Sequence, residues 1–226
     1  MRVHSNNQLS FSDIRHVAVA VAVVREGQLH VGILHKEELA GEVKLAHLAW
    51  HNQLKEENDP KDCYLWIDPP IPQRRARQVA ARCRQILRAN VKGIPYAFSP
   101  PNDCFDAESG TFLLGPSRVG LTCATFVLAV FDSSGMVLAN YSTWPSRRSG
   151  DVAWQKFVAD QLLESGAANE HLQLVRQELG SVRFRPEDVA GCAASDQIPC
   201  RFERAESLGG AIVDRLRLHA KPMRDS

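Results

Sequence analysis

Gly120–Leu121–Thr122–Cys123–Ala124–Thr125–Phe126–Val127–Leu128–Ala129–Val130–Phe131 is apolar nearly all round, so its periodicity admits either a buried strand or a buried helix. The flanks favour a helix. Thr122 is a residue type that caps a helix start, and Phe131–Asp132–Ser133–Ser134–Gly135 reads as a helix exit. A central apolar helix with a cysteine in its first turn then organises the rest of the chain. The expected class is α+β, an antiparallel sheet packed on this helix, with a C-terminal helical extension.

Residues 15–24 (RHVAVAVAVV) set Val17, Val19, Val21 and Val23 against small alanines at period two, the pattern of a buried strand. Glu26–Gly27 signals a turn and Gln28–His35 a second strand, so the two form a hairpin. Val43–Trp50 and Cys63–Ile67 make a third and fourth strand, the last ended by Asp68–Pro69–Pro70. Pro72 opens a helix running to about Asn90. Residues 91–120 form a loop rich in Gly and Pro, with Gly115–Pro116 among its turns, and a loop of that length is usually functional or a lid. Beyond residue 140 the chain reads as helical. Gly150–Asp151 caps a helix through Glu164, Asn169 caps one to Leu179, Pro186 starts a third, and Glu203–Leu218 is a fourth. The expected organisation is a core at 1–140 with an extension at 141–226 packed on it.

Hydrophobic residues make up 44% of the 226, enough for a sizeable core. Twenty-seven basic and 26 acidic residues leave a formal charge of +1, which gives no electrostatic reason to expect nucleic acid or an acidic membrane as partner. The arginines at 74, 75, 77, 82, 84 and 88 fall at helical spacing and read as a solvated helix face. Met1–Asp13 is polar where a secretory signal would be apolar, and Val17–Val24 is too short to span a bilayer. The expectation is a protein of the cytoplasm with mostly free thiols, with delivery by a specialised secretion route left open.

Of the six cysteines, Cys123 is placed for chemistry. The unpaired amides of a helix's first turn favour a thiolate and can donate to the oxygen of a tetrahedral intermediate. As a small side chain in an apolar helix, it would equally serve simple packing. His47 shares the apolar face of the third strand with Val43 and Leu45 and is the candidate base. Asp68, at the end of the fourth strand, reaches His47 if strands three and four are neighbours, and would then fix the imidazole tautomer. His51 is the substitute base, with His30 and His35 weaker candidates. Cys104 is the rival nucleophile, mid-loop and without helix amides. A zinc set of Cys63, Cys83, Cys104 and His47 lacks the short paired spacings such sites use, so no metal is expected.

The order of a strand histidine, an acid on a later strand, a long loop and a cysteine at a helix start resembles the circularly permuted papain-like fold. It is most similar there to the NlpC/P60 peptidases and their lecithin:retinol acyltransferase-like relatives. Gly93–Ile94–Pro95–Tyr96–Ala97–Phe98 resembles the family's proline–tyrosine loop, and Gly120–Val127 its nucleophile segment, with Thr122–Cys123–Ala124–Thr125 in place of the family's Asp–Cys–Ser–Gly. The likeness covers roughly residues 15–135. It implies a cysteine hydrolase acting on an amide through an acyl-thiol intermediate, without a cofactor. Cys123, His47 and Asp68 would be catalytic, and Tyr96 and Thr122 would lie on the substrate or oxyanion side. The implied partner is a peptide or acyl substrate. An acyltransferase or thioesterase would use the same thiol, and a binding protein would keep the fold without the chemistry.

Overall fold

The computed structural model describes residues 3–25, 27–39, 41–58, 60–115 and 118–219. Glu26 of the expected turn, Pro116 of the expected loop and the end of the expected extension lie outside the described residues. Six strands are present among those described: β1 (Val3–Ser5), β2 (Val17–Arg25), β3 (Gln28–His35), β4 (Lys44–Trp50), β5 (Gln53–Asn58) and β6 (Leu65–Ile67). With them are six α-helices: α1 (Gln73–Ala89), α2 (Cys123–Ser133), α3 (Asp151–Glu164), α4 (Asn169–Gln177), α5 (Pro186–Ala194) and α6 (Phe202–His219). The strands pair antiparallel in one sheet of order β1-β6-β2-β3-β4-β5, so the class is α+β.

The valine–alanine alternation of β2 sorts the sheet into two faces. Val17, Val19 and Val21 join Val31, Ile33, Leu48, Leu65 and Ile67 beneath the helices. Ala18, Ala20 and Ala22 turn the other way with Leu34, Leu45, Tyr64 and Trp66, and are covered by Phe11 and Ile14. Branched side chains thus fill the thick, helix-covered face and small ones the thin face. Each buried valine contributes about 1.5–3 kcal/mol. A one-residue slip would turn the whole set outward, so the register of β2 is strongly set. Against β3 and β4 packs α2, and against β2 and β3 packs α5.

Two strands were not expected. In β5, Gln53–Asn58, all six side chains are partly or fully exposed; it is an edge strand with no apolar alternation to announce it. Three residues of β1 form the opposite edge. The order of strands is also different. Asp68 follows β6, which pairs with β2 through Val19–Ile67 and Val21–Leu65, so β2 and β3 stand between it and β4. Three strand spacings of about 4.8 Å separate β6 from the strand of His47. The expected Asp68–His47 neighbourhood is therefore corrected, because β6 adds to the outer side of the β2–β3 hairpin.

Helix limits follow local chemistry. Pro72 and Asn90 bracket α1, and Gly150 sits in the left-handed conformation (φ 82°) before α3. Ala168 caps α4, with Asn169 as its first helical residue. The arginine face of α1 is not uniformly solvated. Arg82 is buried, its guanidinium donating to the carbonyls of Asp106 (2.6 Å) and Ala107 (3.1 Å). It fastens the 91–120 segment from one side, and Asn90 does so from another by bonding Gly110 and Phe112. That segment ends in a parallel bridge between Tyr96 and Leu121, where Leu121 N–H donates to Pro95 O (3.0 Å) and Ala97 N–H to Leu121 O (3.3 Å). No helix among the described residues is long and apolar enough to cross a membrane.

The bridge requires glycine at 120, where a Cβ would stand 2.2 Å from Pro95 O. Gly120→Ala should lower the unfolding free energy by roughly 1–3 kcal/mol. Gly115→Ala, with open space around the added methyl, should change it by less than about 0.5 kcal/mol. Urea unfolding of the two variants checks this, and equal effects would contradict it.

Candidate active site

Cys123 is the first residue of α2. Thr122 precedes it in a reciprocal cap: Thr125 N–H donates to Thr122 Oγ1 (3.1 Å) and Thr122 N–H to Thr125 Oγ1 (2.8 Å). The Thr122 side chain is thus committed to the cap, while Thr122 and Cys123 both line a cleft of about 970 Å³. The thiol is buried, and burial pushes its pKa up. Opposing that shift are the nearby Val31 amide, Tyr96 hydroxyl and Ala124 amide, groups whose dipoles favour an anion at the sulfur. The expected helix-start thiolate is therefore a thiol at rest, surrounded by donors suited to an anion.

Tyr96 is buried and lines the cleft beside it, its hydroxyl close to the first turn of α2. The Tyr96–Leu121 bridge sets this approach, because it fixes the tyrosine two residues in space from the start of α2.

The histidines reach the cleft from the sheet. His30 and His47 extend the face of Leu34 and Leu45, the thin face, while α2 lies on the other. The β3–β4 ladder runs only from His35–Lys44 to Ile33–Ala46. Past it, Val31 has no β4 partner in the ladder, and its amide lies near the Cys123 sulfur. The thiol therefore sits at an opening in the sheet, and the same cleft is lined by Cys123, Tyr96, His30, His47 and Glu57.

Within it His30 Nε2 lies 2.7 Å from His47 Nδ1, and His47 Nε2 lies 3.3 Å from Glu57 Oε1 on β5, close enough for charge but off the line of a good hydrogen bond. Gly32, directly opposite His47, makes room: a Cβ there would come within 3.0 Å of His47 Cβ. Burial lowers the pKa of both rings, to about 3 for His30, with Glu57 partly offsetting it at His47. Nδ1 of His47 is thus bonded to His30, and its Nε2 faces the Glu57 carboxylate. A carboxylate at Nε2 favours the tautomer with its proton there, which makes Nδ1 the acceptor from His30 Nε2–H. The remaining nitrogen of His30, Nδ1, is then an unprotonated acceptor.

Of the sequence candidates, Cys123, His47, Tyr96 and Thr122 meet in this cleft, and Asp68 follows β6, three strand places from β4. His51 takes another position: its Nδ1 accepts the Tyr96 amide at 3.2 Å. Cys104 is buried away from the cleft, its thiol donating to Pro100 O and pushed up to about 12 by burial. Among the described residues no set of three His, Cys, Asp or Glu is placed to hold a metal. Sequence reasoning gave His30 little weight and missed Glu57. The signal for His30 is its period-two spacing from Gly32 and Leu34; Glu57 lies on the strand that has no apolar pattern.

Burial depresses the pKa of six histidines: His16, His30, His35, His47, His51 and His171. The unfolded chain takes up protons near pH 6.5, whereas folded His30 does so only near 3. Stability should then rise with pH through this window, by about 1.4 kcal/mol per pH unit for one such group. Urea midpoints should fall from pH 7 to 5, less steeply in His30→Gln; a flat profile would contradict the buried, neutral state. Comparison with family models, with curated proteins and with solved structures finds no match to this chain.

Proposed function

We propose that the cleft is the active site of a thiol hydrolase in which Cys123 attacks an amide or ester carbonyl. The observation that carries this reading is the 2.7 Å contact between His30 and His47 in the cleft that also holds the Cys123 thiol and the Tyr96 hydroxyl. His30 Nδ1 accepts the thiol proton as sulfur bonds to the carbonyl carbon. His47, backed by Glu57, orients the ring and spreads the positive charge, the part first expected of Asp68. The base thus moves one strand, from His47 to His30, because His47 Nδ1 faces His30 and its Nε2 faces Glu57. The Cys123 amide and the Tyr96 hydroxyl donate to the developing oxyanion. The imidazolium returns its proton to the leaving amine or alcohol, and water, entering the same way, releases the acid and restores the thiol.

With the thiol raised and the imidazole depressed, both start neutral. The proton moves during attack, not before it, which makes His30 a general base in the strict sense. The permuted papain-like relationship supplies the same type of nucleophile and is the framework we favour for the fold. The expected setting, a cytoplasmic enzyme acting on a peptide or isopeptide, stands as part of this proposal. Aromatic walls from Trp50, Trp154 and Phe157 favour as second reading an acyl-transfer variant, since they would shield an acyl-thiol from water.

Ester hydrolysis with p-nitrophenyl acetate tests the assignment. Cys123→Ala should abolish enzyme-dependent release, and His30→Ala should lower it by about 10²–10⁴-fold. His47→Ala should cost less, as an orienting group contributes less than the base. Full activity in Cys123→Ala would remove the nucleophile, and a larger loss in His47→Ala than in His30→Ala would return the base to His47.

A further inference from the structure

Tyr96 is held by its backbone as well as by its hydroxyl, and the hold comes from both sides of the molecule. Its amide donates to His51 Nδ1 (3.2 Å), from the turn between β4 and β5. Its carbonyl accepts from His171 Nε2 (3.0 Å), from α4. The two rings are themselves in contact, with centroids 4.5 Å apart and planes at 46°. The backbone of one residue, its N–H on one side and its C=O on the other, is thereby clasped between two imidazoles, one from the turn between β4 and β5 and one from α4.

The clasp has defined chemistry. An amide that donates to His51 Nδ1 needs that nitrogen unprotonated, so the proton of His51 is on Nε2. A carbonyl that accepts from His171 Nε2 needs the proton of His171 there. Both rings are neutral in this arrangement, as expected for half-buried histidines next to each other. The neighbouring residues are tied to the same C-terminal stretch. Glu178 accepts from Phe98 N–H (2.7 Å) and from the Ser99 hydroxyl (2.5 Å), and Ser99 Oγ in turn accepts from Val119 N–H (2.8 Å) and Gly120 N–H (3.3 Å). Both strands of the short bridge that leads into α2 are thus anchored to residues 171–178.

We infer that His171 is a positioning residue of the thiol site, holding the Tyr96 backbone in place together with His51 so that the phenol stays beside the Cys123 thiol. The C-terminal helices are on this account a working part of the site. Histidine suits the position because its ring places a donor at a fixed distance from the helix axis, where a flexible side chain would have to be ordered first. The inference rests on the proposed placement of Tyr96 at the thiol, but it does not rest on turnover.

Titration of the Cys123 thiol tests it without a substrate. The rate of iodoacetamide alkylation at Cys123, located by mass spectrometry, is followed from pH 6 to 11, and thermal unfolding is recorded alongside. Tyr96→Phe removes the hydroxyl donor and should move the Cys123 midpoint upward. His171→Leu should move it in the same direction, His171→Gln, which keeps an N–H donor, should stay nearer the wild type, and Tyr96→Phe combined with His171→Leu should shift it no further than Tyr96→Phe alone. An unchanged midpoint in His171→Leu, or shifts that add in full, would overturn the inference. If His171→Leu does not fold, His171→Asn, polar but too short to reach the Tyr96 carbonyl, takes its place under the same criteria. Loss of ester hydrolysis with the midpoint pattern intact would refute the hydrolase and leave the positioning role standing.

Discussion

Two backbone hydrogen bonds, Leu121 N–H to Pro95 O and Ala97 N–H to Leu121 O, join a loop to the residues just before α2. The arrangement at the cleft depends on them. They need a position without a side chain at Gly120, and they bring Tyr96 to the first turn of the helix. A buried phenol left without a partner would cost about 1–3 kcal/mol. The loop is therefore under tension from two sides: it loses the bridge if it moves away, and it strands the hydroxyl if it rotates. The polar ties on Asn90, Arg82 and Ser99 extend the same constraint along residues 91–120. A segment with the composition of a lid is thereby built as a fixed wall.

Burial decides the resting charge of the cleft. It raises the thiol, lowers His30 and His47, and so keeps the three groups neutral where charge would be costly. The polar groups near the sulfur do not overcome this. They favour an anion, and an anion arises only when the thiol gives up its proton or a carbonyl oxygen takes up charge. On the proposed mechanism, stabilisation would then fall on the activated state more than on the resting one, which is the condition for catalysis.

Much of the architecture was legible in the chain because it rests on local pattern. Period-two valines gave β2, Pro72 the start of α1, and Thr122 the start of α2, where the cap is observed with its partner Thr125. The order of strands was not legible, since nothing local tells β6 to pair with β2 and not with β4, and the assignment of Asp68 failed for that reason. β5 was hidden by its polarity, and with it the carboxylate of Glu57. The contact of His30 with His47 needed the β3–β4 register. Eight residues connect those strands, too many for turn chemistry to set the pairing.

The same reasoning explains why the C-terminal helices gave no functional signal in the sequence. Their contribution is made through positions that look ordinary one at a time: a histidine on an amphipathic helix, a glutamate after it, and arginines near a turn. Only the fold sets His171 and Glu178 against the Tyr96 segment, and Trp154, Arg183 and Phe184 on the cleft wall. Arg183 lies 3.7 Å over the Trp154 ring and pairs with Asp151, so that wall is held by cation–π contact and charge together. A cleft assembled in this way draws its thiol from a helix start, its imidazoles from the sheet and its enclosure from the later helices. Each part is placed by long-range packing, and residue type alone identifies only the cysteine and its cap.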